Sequence, residues 1–229
     1  MNSQSTLIKT VKSELSLHSH CLLKDFWSQK QTAQCRHYVE TISSWTAGDC
    51  SHESWQETSG KIPADIMSGI PQDLVVGVCG QRVSNQVQWF NLYRNGQFIR
   101  GHRDAAGDLQ MLFCIEAPPA SEGGQLWLNK VSNVIEMHPG DLLLFKASKL
   151  LHGTNLIASH SQSRRLTLNV RLWLDCSQSE TAGAIPPGTE AECRETVSRV
   201  KFSTREPDHP ASPMPLGFNK QQIDIHYHG

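Results

Sequence analysis

The sequence predicts a mainly β domain with flanking helices, in which short strands form a sandwich, a barrel or a jelly roll. After residue 86, several apolar or alternating runs of strand length follow one another, and turn residues separate them. The segment before residue 86 has weaker and more mixed patterns. A chain of 229 residues is long enough for one domain with a substantial core.

We expect a single domain over residues 1–229 with three parts. Residues 1–85 form a mixed N-terminal segment with helices, residues 86–175 form the β core, and residues 176–229 form an irregular, proline-rich C-terminal extension. Hydrophobic residues make up 38% of the chain and charged residues 19%, as in globular proteins.

The charge balance gives no global attraction for polyanions. The chain has 21 basic and 22 acidic residues and a net charge of -1, which disfavours nucleic acid as a partner. Seven scattered cysteines without a CxxC pair indicate free buried thiols in a reducing compartment. With no apolar signal or membrane-spanning stretch, we expect a cytoplasmic protein without membrane contact.

Outside the core, the sequence predicts only short elements. Helices are expected within Asp25–Trp45 and Pro63–Gly69. The alternating final segment, 223–229, predicts an edge strand that places His226 and His228 on one face, where ordinary surface histidines are expected.

Within the core, Asn95-Gly96 separates two β-like runs and predicts a type I′ hairpin, because both positions would need a positive φ. Turn residues such as Pro118-Pro119 mark further boundaries. The expected strands are Gln86–Tyr93, Gln97–Asp104, Gln110–Glu116, Gly124–Leu128, Val134–Met137, Asp141–Phe145 and Arg165–Trp173.

Candidate metal ligands occur in the second of these runs. Strand side chains alternate between faces, so Phe98, Arg100, His102 and Asp104 would point the same way. An imidazole and a carboxylate aimed at one space supply two ligands of a facial iron triad. His152, which follows the strand Asp141–Phe145, is the candidate third ligand.

Two other strands would present polar side chains to the same interior. Arg165, Thr167, Asn169 and Arg171 share one face of their strand, and paired guanidinium groups suit a dicarboxylate. On the strand Gln86–Tyr93, Trp89, Asn91 and Tyr93 share a face, from which Asn91 and Tyr93 can donate hydrogen bonds to a carboxylate.

At these residues the sequence resembles the Fe(II)/2-oxoglutarate-dependent dioxygenase superfamily. The similar region is roughly Gln86–Trp173, where His102, Asp104 and His152 match the metal triad. Gly123-Gly124 and Pro139-Gly140-Asp141 match the turn elements of that family. The resemblance implies a double-stranded β-helix, a cupin-like jelly roll.

Within the superfamily, the arrangement of motifs is similar to the AlkB-like group. Asn91-x-Tyr93 precedes His102-x-Asp104 at that group's spacing, and the strand from Arg165 to Arg171 looks like its paired-arginine strand. By this resemblance, Arg171 binds the distal carboxylate of 2-oxoglutarate and Arg165 lies nearer the iron. Other branches of the superfamily use one arginine at about the position of Arg165, so the division of roles stays open.

The resemblance implies an enzyme that uses Fe(II), 2-oxoglutarate and O2, and that couples decarboxylation to succinate with oxidation of a second substrate. A small organic molecule, such as an amino acid or secondary-metabolite intermediate, is the expected substrate, and hydroxylation the expected reaction. Arg100, Trp89 and Trp127 are the substrate-facing candidates, although core packing would also explain the tryptophans.

The alternatives are an AlkB-like nucleic-acid demethylase, a peptidyl hydroxylase and, from another class, an inactive β-helix that serves as an interaction module. The sequence determines neither the substrate nor the oligomeric state.

Overall fold

The computed structural model describes residues 3–47, 56–58, 62–63, 66, 68–69 and 71–175. The helices are α1 (Ser3–Leu17), α2 (Gln29–Glu40) and α3 (Gln72–Cys79), with a short 3-10 helix over Ala120–Glu122. The strands are β1 (His20–Leu23), β2 (Thr46–Ala47), β3 (Gln56–Thr58), β4 (Val83–Tyr93), β5 (Leu109–Glu116), β6 (Leu126–Leu128), β7 (Val134–Ile135), β8 (Leu142–Phe145), β9 (His152–Thr154) and β10 (Arg165–Leu174).

Some expectations fall on residues that the structure does not describe. These are the C-terminal extension with its edge strand and three of the seven residues of the helix expected over Pro63–Gly69. The helix expected within Asp25–Trp45 is confirmed as α2, which begins after a capping box in which Ser28 and Gln31 satisfy each other's backbone amides.

The described strands form two antiparallel sheets, as the mainly β prediction requires. The large sheet has seven strands in the order β1-β8-β5-β10-β4-β3-β2, and the small sheet has three in the order β7-β6-β9. Strands β1 to β3 come from the N-terminal segment, so the sheet is wider than the core expected over residues 86–175.

Alternation along β10 separates the two faces of the large sheet. Leu166, Leu168, Val170 and Leu172 are fully buried in a cluster that includes residues of all three helices. The opposite face of β5 and β8, with Leu112 and Phe145, packs in a second cluster with Leu126 and Leu128 of the small sheet. The two sheets therefore enclose an interior, and the helices cover the outside of the large sheet.

The Asn95-Gly96 hairpin prediction is wrong. Only Gly96 has a positive φ, of 75°, whereas a type I′ turn needs a positive φ at both residues. The turn carries the chain from the large sheet to the small one. Ile99, which follows the turn, accepts a hydrogen bond at its carbonyl oxygen from the backbone N–H of Thr154 in β9, at 2.9 Å.

The expected strand Gln97–Asp104 is also not a regular strand. It runs beside β9 and pairs with it at an isolated bridge between His102 and His152. The segment pairs with β9 at His102, and two residues later Asp104 donates its backbone N–H to the carbonyl oxygen of Ala147 at 3.1 Å. Because these two partners lie in different parts of the chain, the segment follows an irregular path.

The Pro139-Gly140-Asp141 turn is held by a buried carboxylate. Asp141 is 1% exposed and accepts hydrogen bonds from the backbone N–H groups of Asp25 at 2.9 Å and His138 at 2.8 Å. Lys24 forms an ion pair with the same carboxylate at 2.9 Å. These contacts join the start of β8 to the segment that follows β1.

Cys21, Cys35 and Cys114 are buried thiols, as expected, and Cys79 is a partly buried thiol. Among the described helices, none has the length and apolar character needed to cross a membrane.

Candidate metal centre and co-substrate site

The two candidate histidine ligands are neighbours across a pair of backbone hydrogen bonds. Each residue, His102 and His152, donates its backbone N–H to the other's carbonyl oxygen at 2.9 Å. Their ring centroids lie 4.3 Å apart. The side chain of His152 is also in edge-on contact with Phe145, which closes the interior beside it.

Both imidazoles are oriented by the backbone. Nδ1 of His102 lies 2.8 Å from the carbonyl oxygen of Arg100, and Nδ1 of His152 lies 2.9 Å from that of Leu150. A carbonyl oxygen only accepts, so Nδ1 of each ring carries the hydrogen when the ring is neutral. Each Nε2 then carries the lone pair that a metal would bind, the arrangement in which a backbone partner fixes a histidine ligand.

Asp104 completes the group. One ligand atom from each of His102, Asp104 and His152 can be chosen so that all three lie within 4.8 Å of one another. Among the residues that the structure describes, this is the one group of three or more His, Cys, Asp or Glu side chains with that geometry. Oδ1 of Asp104 lies 3.6 Å from Nε2 of His102, on the side where a metal would bind.

The protonation states suit a metal site. Burial, followed by the charge of His102, lowers the pKa of His152 to about 4, so this imidazole is neutral at pH 7. Burial would raise the pKa of Asp104, but the charge of Arg171, which also donates a hydrogen bond to this carboxylate, lowers it overall. The group therefore presents a neutral imidazole and a carboxylate without displacement of protons at neutral pH.

Arg171 contacts the metal-ligand candidate Asp104 directly. Its Nη2 donates to Oδ2 of Asp104, and its Nε and Nη2 donate to Oε1 of Gln110 at 3.3 Å and 3.0 Å. Its guanidinium carbon lies 5.0 Å from the ring centroid of Trp89. Arg171, and not Arg165, is therefore the arginine that contacts the candidate ligand Asp104, whereas the roles of both arginines toward 2-oxoglutarate stay predictions.

A chain of hydrogen bonds continues from Arg171 along the interior face of β10. Nε2 of Gln110 donates to Oδ1 of Asn169 at 3.3 Å, and Nδ2 of Asn169 donates to Oγ1 of Thr167 at 3.1 Å. All three residues are at most 5% exposed. The inward polar face of β10 was expected, but Gln110 was missed, although a lone polar residue within an apolar strand could have indicated it.

Asn91 and Tyr93 lie in the interior beside the far part of this chain, opposite Thr167 and Arg165 in the strand register. Oδ1 of Asn91 is buried and has no hydrogen-bond partner among the described residues, and Nδ2 lies 3.4 Å from the Tyr93 hydroxyl. If the amide is turned by 180°, Oδ1 accepts from that hydroxyl and Nδ2 becomes a free donor. This donor suits a bound carboxylate.

Arg165 is a buried cation without an ionic partner. It is 5% exposed, and its guanidinium carbon lies 5.1 Å from the ring centroid of Tyr93. None of the described residues forms an ion pair with it or accepts a hydrogen bond from its side chain. The nearby carboxylate of Glu116 is instead bound by Arg164 at 2.8 Å and by Arg36 at 2.9 Å.

The structure separates the substrate-facing candidates. Leu126 and Leu128 face the interior, so Trp127 between them points to the outer face of the small sheet. There a Cβ on either Gly101 or Gly153 would lie 2.5 Å from the indole. Trp127 therefore packs against the residues next to both histidines, and the expectation that it faces a substrate is wrong.

Trp89 and Arg100 are half-buried and remain candidates. Trp89 shares the interior face of β4 with Asn91 and lies under the guanidinium of Arg171. The carbonyl oxygen of Arg100 orients His102, whereas a substrate contact of its side chain stays a prediction.

No family model and no curated protein matches the sequence, but solved structures match its fold. A Pseudomonas putida prolyl-4-hydroxylase is 18% identical with a TM-score of 0.59, covering 72% of this chain and 97% of that chain. A 2OG-Fe(II) oxygenase family oxidoreductase from Burkholderia pseudomallei is 10% identical, with a TM-score of 0.57 and coverages of 72% and 90%.

Streptomyces hygroscopicus HygX, solved with nickel, 2-oxoglutarate and hygromycin B, is 10% identical with a TM-score of 0.55, covering 71% of this chain and 85% of that chain. Identities this low establish the architecture rather than the activity. The two sheets and their connections therefore form the double-stranded β-helix, or jelly roll, that is also the fold of these 2-oxoglutarate oxygenases.

Proposed function

We propose that the protein is an Fe(II)- and 2-oxoglutarate-dependent dioxygenase that oxidises, by hydroxylation, a small organic substrate. One observation carries the proposal: the candidate ligands His102, Asp104 and His152 converge at one end of an interior that also holds Arg165, a buried cation that forms no ion pair with any described residue. A scaffold without a ligand gains nothing from an unpaired buried cation, because its burial costs free energy.

The residues fit an iron ion by their donor chemistry. Two imidazole Nε2 atoms and one carboxylate oxygen form the facial set typical of non-haem Fe(II) oxygenases. Bound there, Fe(II) would supply the oxygen activation that couples decarboxylation of 2-oxoglutarate to oxidation of the substrate. Arg171 holds Oδ2 of Asp104, which leaves Oδ1 for the metal and favours a single carboxylate bond.

The co-substrate would lie between the metal group and Arg165, along the polar faces of β4 and β10. Arg165 would bind the distal carboxylate through its unpaired guanidinium, and Asn91 and Tyr93 would donate hydrogen bonds to it. Arg171 would orient Asp104 at the metal end. This assignment reverses the arginine roles expected from the AlkB-like resemblance, while it keeps both residues in the site.

The substrate would approach at the metal end. The side chain of His102 is 15% exposed there. Half-buried Trp89 lies under the guanidinium of Arg171, and half-buried Arg100 precedes His102 by two residues. The balanced charge disfavours the AlkB-like demethylase, which needs a surface that attracts nucleic acid. The similarity to a prolyl hydroxylase supports a peptide substrate as the second candidate.

The buried thiols favour a reducing compartment, which agrees with a cytoplasmic enzyme.

The test is a succinate-release screen with Fe(II) and 2-oxoglutarate over amino acids, small metabolites, peptides and methylated oligonucleotides. We expect release that is stimulated by a small molecule and lost in His102→Ala. The matched control, His160→Ala, removes an exposed histidine that belongs neither to the metal group nor to the proposed co-substrate site, and it should retain activity. Wild-type protein that neither binds Fe(II) nor consumes 2-oxoglutarate over this panel would contradict the proposal.

A further inference from the structure

A cavity of about 260 Å³ opens at the end of the interior opposite the metal group. Its wall includes Arg165 at the start of β10 and Cys114 near the end of β5. Arg171 and Gln110, which lie beside the metal group, are at the other ends of the same two strands. The cavity thus lies beyond Arg165 as seen from the metal ligands.

Apolar side chains dominate the rest of the wall. Leu126, Ile135 and Met137 line the cavity, and Met137 and Leu126 are at least nine-tenths buried. Burial raises the pKa of the Cys114 thiol to about 12, so it stays neutral and adds no charge at neutral pH. At the rim, His138 and Glu136 are exposed and face each other at 3.8 Å.

The arginines at the two ends of the proposed co-substrate site differ in how firmly their side chains are held. Arg171 is held by Asp104 and Gln110. Arg165 stacks over Tyr93 and forms no ion pair or side-chain hydrogen bond with any described residue, and it borders open space. A shift of its guanidinium into the cavity breaks no polar contact within the described chain.

We propose that this cavity makes the co-substrate site adjustable in length, so that the protein accepts a six-carbon 2-oxo dicarboxylate, 2-oxoadipate, beside five-carbon 2-oxoglutarate. The inference rests on the proposed function and concerns the distal end of that same site. The extra methylene displaces Arg165 toward the cavity, and the ion pair between the distal carboxylate and Arg165 is kept.

The reaction with the longer acid balances in the same way as with the shorter one. The bond between C1 and C2 of 2-oxoadipate breaks, C1 leaves as CO2, and one atom of O2 enters the new carboxylate of glutarate. The other oxygen atom enters the oxidised substrate. Glutarate and succinate therefore report separately which acid was used.

A closed apolar pocket discriminates against one extra methylene by about 10- to 200-fold. We expect the dissociation constants of 2-oxoadipate and 2-oxoglutarate for the Fe(II)-loaded protein to differ by less than about tenfold. The cavity gives Arg165 room to move, so the extra methylene of 2-oxoadipate is not forced against the wall of the site. Calorimetry without oxygen measures both constants in the absence of turnover. Glutarate and succinate release with oxygen then gives the ratio of kcat/KM.

Two variants of the small sheet provide the matched comparison. Ile135→Trp fills the cavity, whereas Val134→Trp enlarges the neighbouring residue, which is 41% exposed. We expect Ile135→Trp to weaken 2-oxoadipate binding by more than about tenfold while 2-oxoglutarate binding changes less than about threefold. Val134→Trp should change neither. Ala117→Phe, at another point of the wall, serves if Ile135→Trp melts at a much lower temperature.

The outcomes separate the two proposals. Normal 2-oxoglutarate binding with 2-oxoadipate weaker by about 100-fold or more overturns the length inference and leaves the proposed function intact. Equal losses for both acids in a folded cavity-filling variant also overturn it. Binding of neither acid to metal-loaded wild-type protein contradicts the proposed function itself.

Discussion

The two arginines on the interior face of β10 have opposite surroundings. Arg171 donates hydrogen bonds to the carboxylate of Asp104 and to the side-chain oxygen of Gln110. Arg165 stacks on the ring of Tyr93 and forms no ion pair with any described residue. The residues are six positions apart, about 20 Å along an extended strand. In the proposed site, the chain's own contacts preorganise the metal end, whereas a carboxylate of the co-substrate would complete the distal end.

The largest expected effect comes from removal of a ligand at the preorganised end. Replacement of His152 by Ala should weaken Fe(II) binding by more than about 100-fold, beyond the loss typical for a partner that only orients a ligand. Anaerobic calorimetry measures this affinity. His160→Ala is the control, because this exposed histidine lies outside the metal group. Equal metal affinity in both variants would remove the basis for the metal assignment.

Leucine replacements of the two arginines test the comparison most directly. Arg171→Leu leaves the buried carboxylate of Asp104 without its cation, so we expect about 3 kcal/mol lower stability and weaker metal binding. Arg165→Leu removes an unpaired buried charge, so stability should be unchanged or higher.

For Arg165→Leu, the KM for 2-oxoglutarate should rise at least about tenfold because a charge-assisted contact is lost. Urea unfolding and metal and co-substrate titrations provide the readouts. The reverse ranking, with the greater loss of 2-oxoglutarate affinity in Arg171→Leu, would return the distal role to Arg171.

Acid should destabilise the metal end selectively. Burial lowers the pKa of His152 from 6.5 to about 4, so the unfolded chain takes up this proton at a higher pH than the folded protein does. The free energy of unfolding of the metal-free protein should therefore fall by about 2 to 3 kcal/mol between pH 7 and pH 4.5 from this residue.

His152→Leu should lack this part of the pH dependence, while Arg165→Leu should keep it. Urea unfolding at a series of pH values measures it. Parallel curves for wild type and His152→Leu would show that the histidine is not held neutral.

The smallest effect is expected at Gln110. Gln110→Leu removes the oxygen that supports Arg171 and should cost about 1 to 2 kcal/mol of stability. Metal affinity should fall by less than about tenfold, because Gln110 acts on Asp104 only through Arg171. Gln88→Leu, on the opposite face of β4 from Trp89, is the control. A larger loss of metal affinity in Gln110→Leu than in Arg171→Leu would contradict the support role.

Local patterns explain which parts of the site could be predicted. Alternation along Arg165–Trp173 identified both the apolar face that packs on the helices and the polar face that lines the interior. His102 and Asp104 were paired from their spacing of two residues, although their segment bends around β9 instead of extending as a strand. The pair nevertheless converges, because both residues are anchored by backbone bonds to residues of the His152 region.

Non-local pairing explains the errors. Trp127 was expected to face a substrate, but the pairing of β6 with β9 turns it outward over Gly153. The Asn95-Gly96 turn joins two sheets, which the turn residues alone do not reveal. Gln110 became visible as part of the site only when β5 was placed beside β10.

The sequence by itself determined the residue types and chain positions of the candidate ligands, and the faces on which strand side chains lie, because a period of two residues is a local property of an extended backbone. Only the tertiary structure decided which arginine meets Asp104, since this depends on the antiparallel register of β10 and on the route of residues 97–104 across the interior. The same packing left Arg165 buried, unpaired within the described chain and next to a cavity.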